Sequence, residues 1–409
     1  MKISAELQEK FLSWKNELTD ELKNSILAFW LDYMADSEYG GFYGFVDNSN
    51  TVKKEASKGL VMHGRFLWTY SAAFRIFKDP VYFHAAQKAL VFLEEKLKDP
   101  EFGGYYWQCS REGKTLETKK QIYGQAFVIY GLSEFVRAGG PAEAGEKAYG
   151  LFTLLEKYAR DRENGGYYEA LEQTWSMPDG GKTALSEKDP DCVKSMNTNL
   201  HVLEAFTNLY RVNRNEKLRE ALAALVSVSC EKIINKKTNH LMLFFDKNWN
   251  TQEDINSFGH DIEATWLIME AIDVLDDDTL RRRYRDLLVR MIDTVIEEGM
   301  DPNGGLNNEF RDGHLDKDKH WWPQAEMMIG LFNGWEMTGK KSYLDLVEKV
   351  WQFIKKEIKA ENGDWFWGRK ADGGLMRNEK GGIWKTPYHN GRLCMEYIER
   401  IKKYEKRGC

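Results

Sequence analysis

Apolar residues run along the chain in two alternating patterns. In the first they fall at three- and four-residue steps, with Arg, Lys, Asp and Glu between them. Leu280, Tyr284, Leu287, Leu288, Met291, Ile292, Val295 and Ile296 form one such series, and Tyr343, Leu346, Val347, Val350, Trp351, Ile354 and Ile358 another. That spacing predicts helices with one stripe buried and the other in water. In the second pattern nearly every side is apolar: GLVMHGRFLWTYSAAF, IYGQAFVIYGLSEFV, MNTNLHVLEAFTNLY, GHDIEATWLIMEAI, WWPQAEMMIGLFNGW and YHNGRLCMEYI. A helix apolar all round is enclosed all round.

A short aromatic turn precedes each enclosed helix: GGFYGF, GGYYWQ, GGYYEA, LMLFFD, GGLNNEF and GDWFWG. Their second positions, Gly41, Gly104, Gly166, Met242, Gly305 and Asp364, are 63, 62, 76, 63 and 59 residues apart. Such a period marks one supersecondary unit copied six times. Six half-buried helices alternating with six enclosed ones predict an all-α (α/α)6 barrel with six outer and six inner helices. The turns form short hairpins or aromatic loops, all at one end. One domain is expected over residues 1–409. A linear solenoid would carry the same helices, but it offers no reason for polar groups to gather at one buried end. The third unit is longest, and its extra stretch, 174–195, is rich in Gly, Pro and charge. It is expected to be a loop over the same end, a candidate lid.

Composition narrows the function. A net charge of −6 with signs mixed, and no basic stripe on any helix, argues against nucleic acid. The first residues lack the apolar core of a signal peptide, and no uncharged run would span a bilayer, so no membrane association is expected. Five cysteines, scattered and without CxxC spacing, are expected to be reduced thiols of a cytoplasmic protein. A monomer is expected over an oligomer.

The starts of the enclosed helices collect the chemistry: Arg65; Tyr123 and Gln125; Asn197 and His201; His260 and Glu263; Trp321, Trp322 and Glu326; Trp384, His389 and Arg392. Burying imidazole and guanidinium among apolar residues is costly unless they are paired or used. His260 and Glu263 are three apart on one helix face, so the carboxylate is expected to orient the ring; His201 and Glu204 repeat the spacing. Di-metal helical bundles place Glu before His and add further carboxylates. Here the order is reversed, and no metal is expected. Trp68, Trp266 and Trp351 are expected to be packing. Trp322 and Trp384, beside polar groups, suit the apolar faces of a sugar. A glycosidase would need two flanking carboxylic acids, for which Glu263 and Glu326 are the candidates. Two histidines fit better with proton transfer at a carbon next to a carbonyl, with Arg65 and His201 as donors to the enediolate.

Four segments, KSMNTNLHVLEAF, SFGHDIEATWLI, KHWWPQAE and IWKTPYHNGR, resemble in sequence and order the signature segments of the N-acylglucosamine 2-epimerase superfamily, its cellobiose 2-epimerases above all. The resemblance spans essentially the whole chain. It implies a cofactor-free enzyme on an (α/α)6 barrel that inverts C2 of the reducing-end glucose of cellobiose, lactose and related β-1,4 disaccharides. It further implies acid–base roles for His260 and His389, with Glu263 supporting the first. Arg65 and His201 would act near C1 and O2 and assist ring opening. Tyr123, Asp189, Asn197, Trp322, Glu326 and Trp384 would contact the sugar. Asn199 departs from the family, which carries His there in many members; two residues from His201, it lies on another helix face. Alternatives are an N-acylglucosamine or mannose 2-epimerase, a mannose isomerase, a glycoside hydrolase on the same barrel, and a sugar-binding protein without turnover.

Overall fold

The chain was analysed as a computed structural model describing residues 3–180, 182–251 and 253–405. Outer and inner helices alternate along it. Helix α1 (Ala5–Asp20) passes through a π-turn into α2 (Ala28–Tyr33) as one outer element; α3 (Leu60–Phe77) is inner and α4 (Pro80–Phe92) outer. The pairs that follow are α5 (Ile122–Arg137) and α6 (Ala142–Leu154), α7 (Met196–Val212) and α8 (Glu216–Val228), and α9 (Phe258–Leu275) and α10 (Asp278–Gly299). Inner α11 (Trp321–Thr338), outer α12 (Lys341–Phe353) and inner α13 (His389–Glu405) complete the chain. Each inner helix packs on the next, and α13 returns to α3, so the inner ring closes. Outer helices bury one stripe, as Tyr343, Leu344, Val347, Val350 and Trp351 do on α12. Inner helices are buried on every side, as from Leu60 to Ala73 on α3. The predicted (α/α)6 barrel is the observed fold.

The two ends of the barrel differ. At one, inner helices turn straight into outer ones, through as little as Lys78 and Asp79, where Asp79 caps α4 and Pro80 opens it. At the other end lie the aromatic turns. Each short strand entering an inner helix pairs with a strand of the next unit's turn: Lys58–Gly59 with Gln108–Cys109, Lys120–Gln121 with Ala170–Leu171, and Lys194–Ser195 with Phe244–Phe245. The last pair, Gly381–Gly382 with Phe45–Val46, joins the sixth unit to the first.

Two repeated devices hold these turns. On each of the first five inner helices one side chain bonds the backbone of its turn. Gln125 accepts from the Tyr105 N–H at 2.9 Å and donates to its carbonyl at 2.8 Å. Asn199 does the same to Tyr167, Gln324 to Leu306, His63 accepts from Phe42 and Asp261 from Leu241. Gln125, read above among the chemical candidates, is therefore a turn clamp, and so is Asn199. These bonds also correct the repeat: Leu241 is the equivalent of Phe42, so the fourth turn matches Gly41 with His240 rather than Met242. The second device is a buried Lys–Asp pair, at Lys58–Asp36 (2.9 Å), Lys120–Asp99 (2.6 Å), Lys194–Asp161 (2.8 Å) and Lys385–Asp364 (2.7 Å). In the fourth unit His240, held by Asp261 at 2.7 Å and Glu298 at 3.1 Å, fills the turn position instead. Glycine is required where the turn backbone is left-handed: Gly166 has φ +74°, and a Cβ there would lie 2.5 Å from the Trp249 ring.

The four described cysteines are buried free thiols; Cys409 lies outside the described residues. No helix among the described residues is long and apolar enough to cross a membrane.

Candidate active site

Every inner helix sends a side chain to the aromatic-turn end: Arg65 from α3, Tyr123 from α5, His201 from α7, His260 from α9, Trp322 from α11 and His389 from α13. The Trp322 ring lies 4.7 Å from that of His260 and 5.5 Å from that of His389. The two imidazole centroids are therefore no farther apart than the sum of those distances. Gly259 permits this approach, since a Cβ there would meet Trp322 at 2.5 Å.

Arg65 is held in place. Its guanidinium donates to the Trp384 carbonyl and to the Tyr123 hydroxyl, both at 2.8 Å, and lies against the Phe127 and Tyr388 rings, 4.6 and 4.8 Å from their centroids. Trp384 and Trp322 are half-exposed in an otherwise buried wall. Beside His260 opens a cavity of about 100 Å³ that Asp189, Asn197, Ser257, Glu169 and Arg311 also line. Part of the 174–195 loop forms its rim. The Trp175 indole joins that loop to the Phe102 carbonyl and Gln121 joins it at the Thr183 carbonyl, while within the loop Asp189 accepts from the Ser186 hydroxyl at 2.8 Å. Asn197 also lines the cavity, and its buried side-chain carbonyl oxygen has no protein partner. A larger cavity, about 420 Å³, lies at the opposite end. Its charges mostly compensate one another, as in Arg211–Glu270 and Arg400 with Glu336 and Glu396. The histidines lie at the aromatic-turn end, and so does the candidate site.

Beneath the histidines lies an ion cluster that the helix periodicity does not reveal. Arg392, fully buried, donates to Glu204, Glu263 and Glu326, and stacks on Trp266 and Tyr388 at 4.7 and 4.3 Å. Glu326 Oε1 also accepts from His389 Nδ1 at 2.7 Å, and its Oε2 accepts from the Trp266 indole at 3.0 Å. Glu204 accepts from His201 Nδ1 at 2.8 Å and from the Tyr388 hydroxyl at 2.5 Å.

Three expectations change. Glu263 does not orient His260: it reaches Arg392, and the His260 Nδ1 partner is the Ser257 hydroxyl at 2.8 Å. Glu326 is fully buried on three protein partners and orients His389, whereas a sugar contact was expected of it. Trp266 is a hydrogen-bonded member of the cluster as well as packing. The His201–Glu204 pair is as expected. Glu263, Glu326 and His389 lie close enough to surround a cation, and the Arg392 guanidinium already bonds both carboxylates as that positive charge.

Electrostatics separate the groups. Burial drives His260 down to about 3, helped by His201. Burial, then Arg65 and Arg392, hold His389 well below the ordinary imidazole value. Both rings are neutral at neutral pH. Burial lifts Glu263 to about 7, with Glu326 adding to the rise, and it raises Glu326 too. Burial pushes Glu204 upward as well, but Arg392 and His201 overcome it and hold the group at about 2. Glu169, which sequence reasoning missed, is lifted by burial to about 7.

A closed helical ring thus gathers paired imidazoles, a hydrogen-bonded arginine and half-exposed tryptophans at one end, and its relatives make it a carbohydrate epimerase, an isomerase. Residues 40–391 match the family model of N-acylglucosamine 2-epimerase (GlcNAc 2-epimerase), and the chain belongs to that family. It is 42% identical to a cellobiose 2-epimerase of Bacteroides fragilis, over 94% of this chain and 98% of the relative. A cellobiose 2-epimerase of Ruminococcus albus is 38% identical over the same shares. The solved cellobiose 2-epimerase of Bacillus thermoamylovorans superposes with a TM-score of 0.90 at 37% identity, covering 95% of this chain and 99% of that one.

Proposed function

We propose that this sugar 2-epimerase acts on β-1,4-linked disaccharides such as cellobiose and lactose, inverting C2 of the reducing-end glucose without a cofactor. The observation that carries this reading is the pair of neutral imidazoles that both lie against Trp322, with Arg65 hydrogen-bonded to Trp384 and Tyr123 at the same end. Trp384 stands at the rim within 6.1 Å of Trp107, and this aromatic wall suits a second sugar ring.

The Glu326 carboxylate has only acceptors to offer, so His389 carries its proton on Nδ1 and presents a lone pair on Nε2. His201 is fixed the same way by Glu204. As the hemiacetal opens, His201 Nε2 takes the O1 hydroxyl proton and O5 is protonated by water, whose hydroxide recovers that proton from O5 when the ring closes and His201 returns its own to O1. His389 Nε2 then removes the C2 proton, and the imidazolium formed is compensated by Glu326. The cis-enediolate gathers negative charge at O1 and O2, where Arg65 and protonated His201 donate. Rotation about C2–C3 turns the other face toward His260, which returns a proton. From the manno epimer the two histidines exchange tasks.

The test is incubation with cellobiose, lactose, glucose, mannose and N-acetylglucosamine in deuterated water, followed by NMR. The expected result is deuterium at C2 of a reducing-end mannose in the two disaccharides. Turnover of the monosaccharides alone, a ketose as main product, or release of free glucose would each replace this reading with one of its rivals.

A further inference from the structure

The three site histidines are backed differently. Nδ1 of His389 and of His201 meets a carboxylate, whereas Nδ1 of His260 meets a hydroxyl, that of Ser257. A carboxylate accepts only, and so fixes one tautomer. A hydroxyl both donates and accepts, and matches either.

Ser257 is also out of its usual role. It occupies the N-cap position of α9, where serine normally accepts from a backbone N–H of the first turn, yet its side chain makes no such bond. Its counterpart on α7, Ser195, does cap, accepting from the Thr198 N–H at 3.0 Å. The Ser257 hydroxyl is turned to the imidazole, and the same residue lines the 100 Å³ cavity on that side of the ring.

Resting on the reading above, we propose that Ser257 is the positioning residue through which His260 delivers its proton as a neutral ring. As His260 Nε2–H is given to C2, Nδ1 takes the Ser257 Oγ–H, and Oγ takes a proton from solvent water in the cavity. The hydroxide left is neutralised by the proton that His389 releases on returning to its neutral form. One C–H bond forms, one tautomer is exchanged for the other, and no electron leaves the system. In the reverse direction Ser257 accepts from Nδ1–H while Nε2 abstracts. The two sides of the site thus handle protons differently: His389 as an imidazolium balanced by Glu326, His260 as a conduit. Burial, which disfavours an imidazolium on His260, agrees with this division.

The test uses the full chain with cellobiose in deuterated water, following two initial rates by NMR: C2 exchange in the starting sugar and formation of the epimer. In Ser257→Ala, His389 still lifts the C2 proton and returns a deuteron to the same face, but delivery from His260 is cut. Epimer formation is expected to fall about 100-fold, while exchange without inversion stays within a few-fold of wild type. Ser257→Thr, which keeps the hydroxyl, restores epimer formation. A purely structural serine would lower both rates by one factor, and that result overturns the proposal, as does an Ala variant with wild-type epimerisation. Should Ser257→Ala not fold, a threonine variant without epimerisation but with wild-type exchange overturns it as well. Wild-type protein showing neither exchange nor epimer removes the functional reading itself, and this inference with it.

Discussion

Replacing Arg392 with Met keeps most of the volume and removes the one positive charge that Glu204, Glu263 and Glu326 share. Glu204 gives the size of the effect. Its carboxyl stands at about 2 in the folded protein against 4.5 when unfolded. At about 1.4 kcal/mol per pH unit, its ionised form stabilises the fold by about 3 kcal/mol. Because the folded value is the lower one, that stability is present above pH 4.5 and is lost as pH falls from there toward 2. Without the guanidinium, only His201 and Tyr388 oppose the burial of Glu204, so its folded value rises, and the stability its ionised form contributes shrinks most at the higher pH. Glu263 and Glu326, already raised, take up protons and limit the damage. The expected loss is about 3–5 kcal/mol at pH 7, in the range for breaking a buried ion pair, and less than half of that at pH 4. Urea unfolding followed by circular dichroism at both pH values measures it. An equal loss at the two pH values, or a loss below about 1 kcal/mol at pH 7, would refute the role given to Arg392.

Four further outcomes are expected. His389→Ala should lower kcat for epimerisation by about 10³, within the usual range for a general base, with an unchanged far-ultraviolet dichroism spectrum. Both site imidazoles are depressed, so their base forms persist as pH falls, and the acid limb of kcat/KM should lie well below the ordinary 6.5 of histidine; a limb at 6.5 in a rate–pH profile contradicts this. Trp384→Ala should raise KM for cellobiose about tenfold, equivalent to ~1.4 kcal/mol of lost stacking, without the same change for any monosaccharide that turns over. Gly166→Ala places a side chain at φ +74° against Trp249 and should cost about 2 kcal/mol or more, seen as a lowered unfolding midpoint.

The ring was legible because its causes are local. All-round apolarity marks an inner helix wherever that helix lies, and paired glycines mark turns whose backbone enters the left-handed region. The convergence of Arg65, His201, His260 and His389 followed from their place at inner-helix starts. What escaped were partners set by rotamer and by distant chain. The spacing of His260 and Glu263 puts both on one face, but the glutamate found Arg392, 129 residues away, more favourable. Ser257 was not picked out, because nothing in the spacing marks a serine at a helix start as the partner of an imidazole rather than a cap. The Lys–Asp pairs recur with the repeat, but they join separate elements, such as Lys194 and Asp161, and no helical or strand period links the partners. The fourth turn was misregistered by two residues because it lacks the glycines that align the others, and Asn239, at φ 60°, takes the bend in their place.

The junction of Phe45–Val46 with Gly381–Gly382 has a consequence for the birth of the protein. The first unit's turn finds its strand partner only in residues made more than three hundred positions later, and Asn48 and Asn50 likewise await Asn378 and Asn362. During translation the early helices emerge with an open seam that nothing yet synthesised can cover. The last few dozen residues therefore act as a keystone: nonsense mutations that spare the whole of α1 to α12 should still leave an unfinished arch, one that quality-control machinery would treat as unfolded.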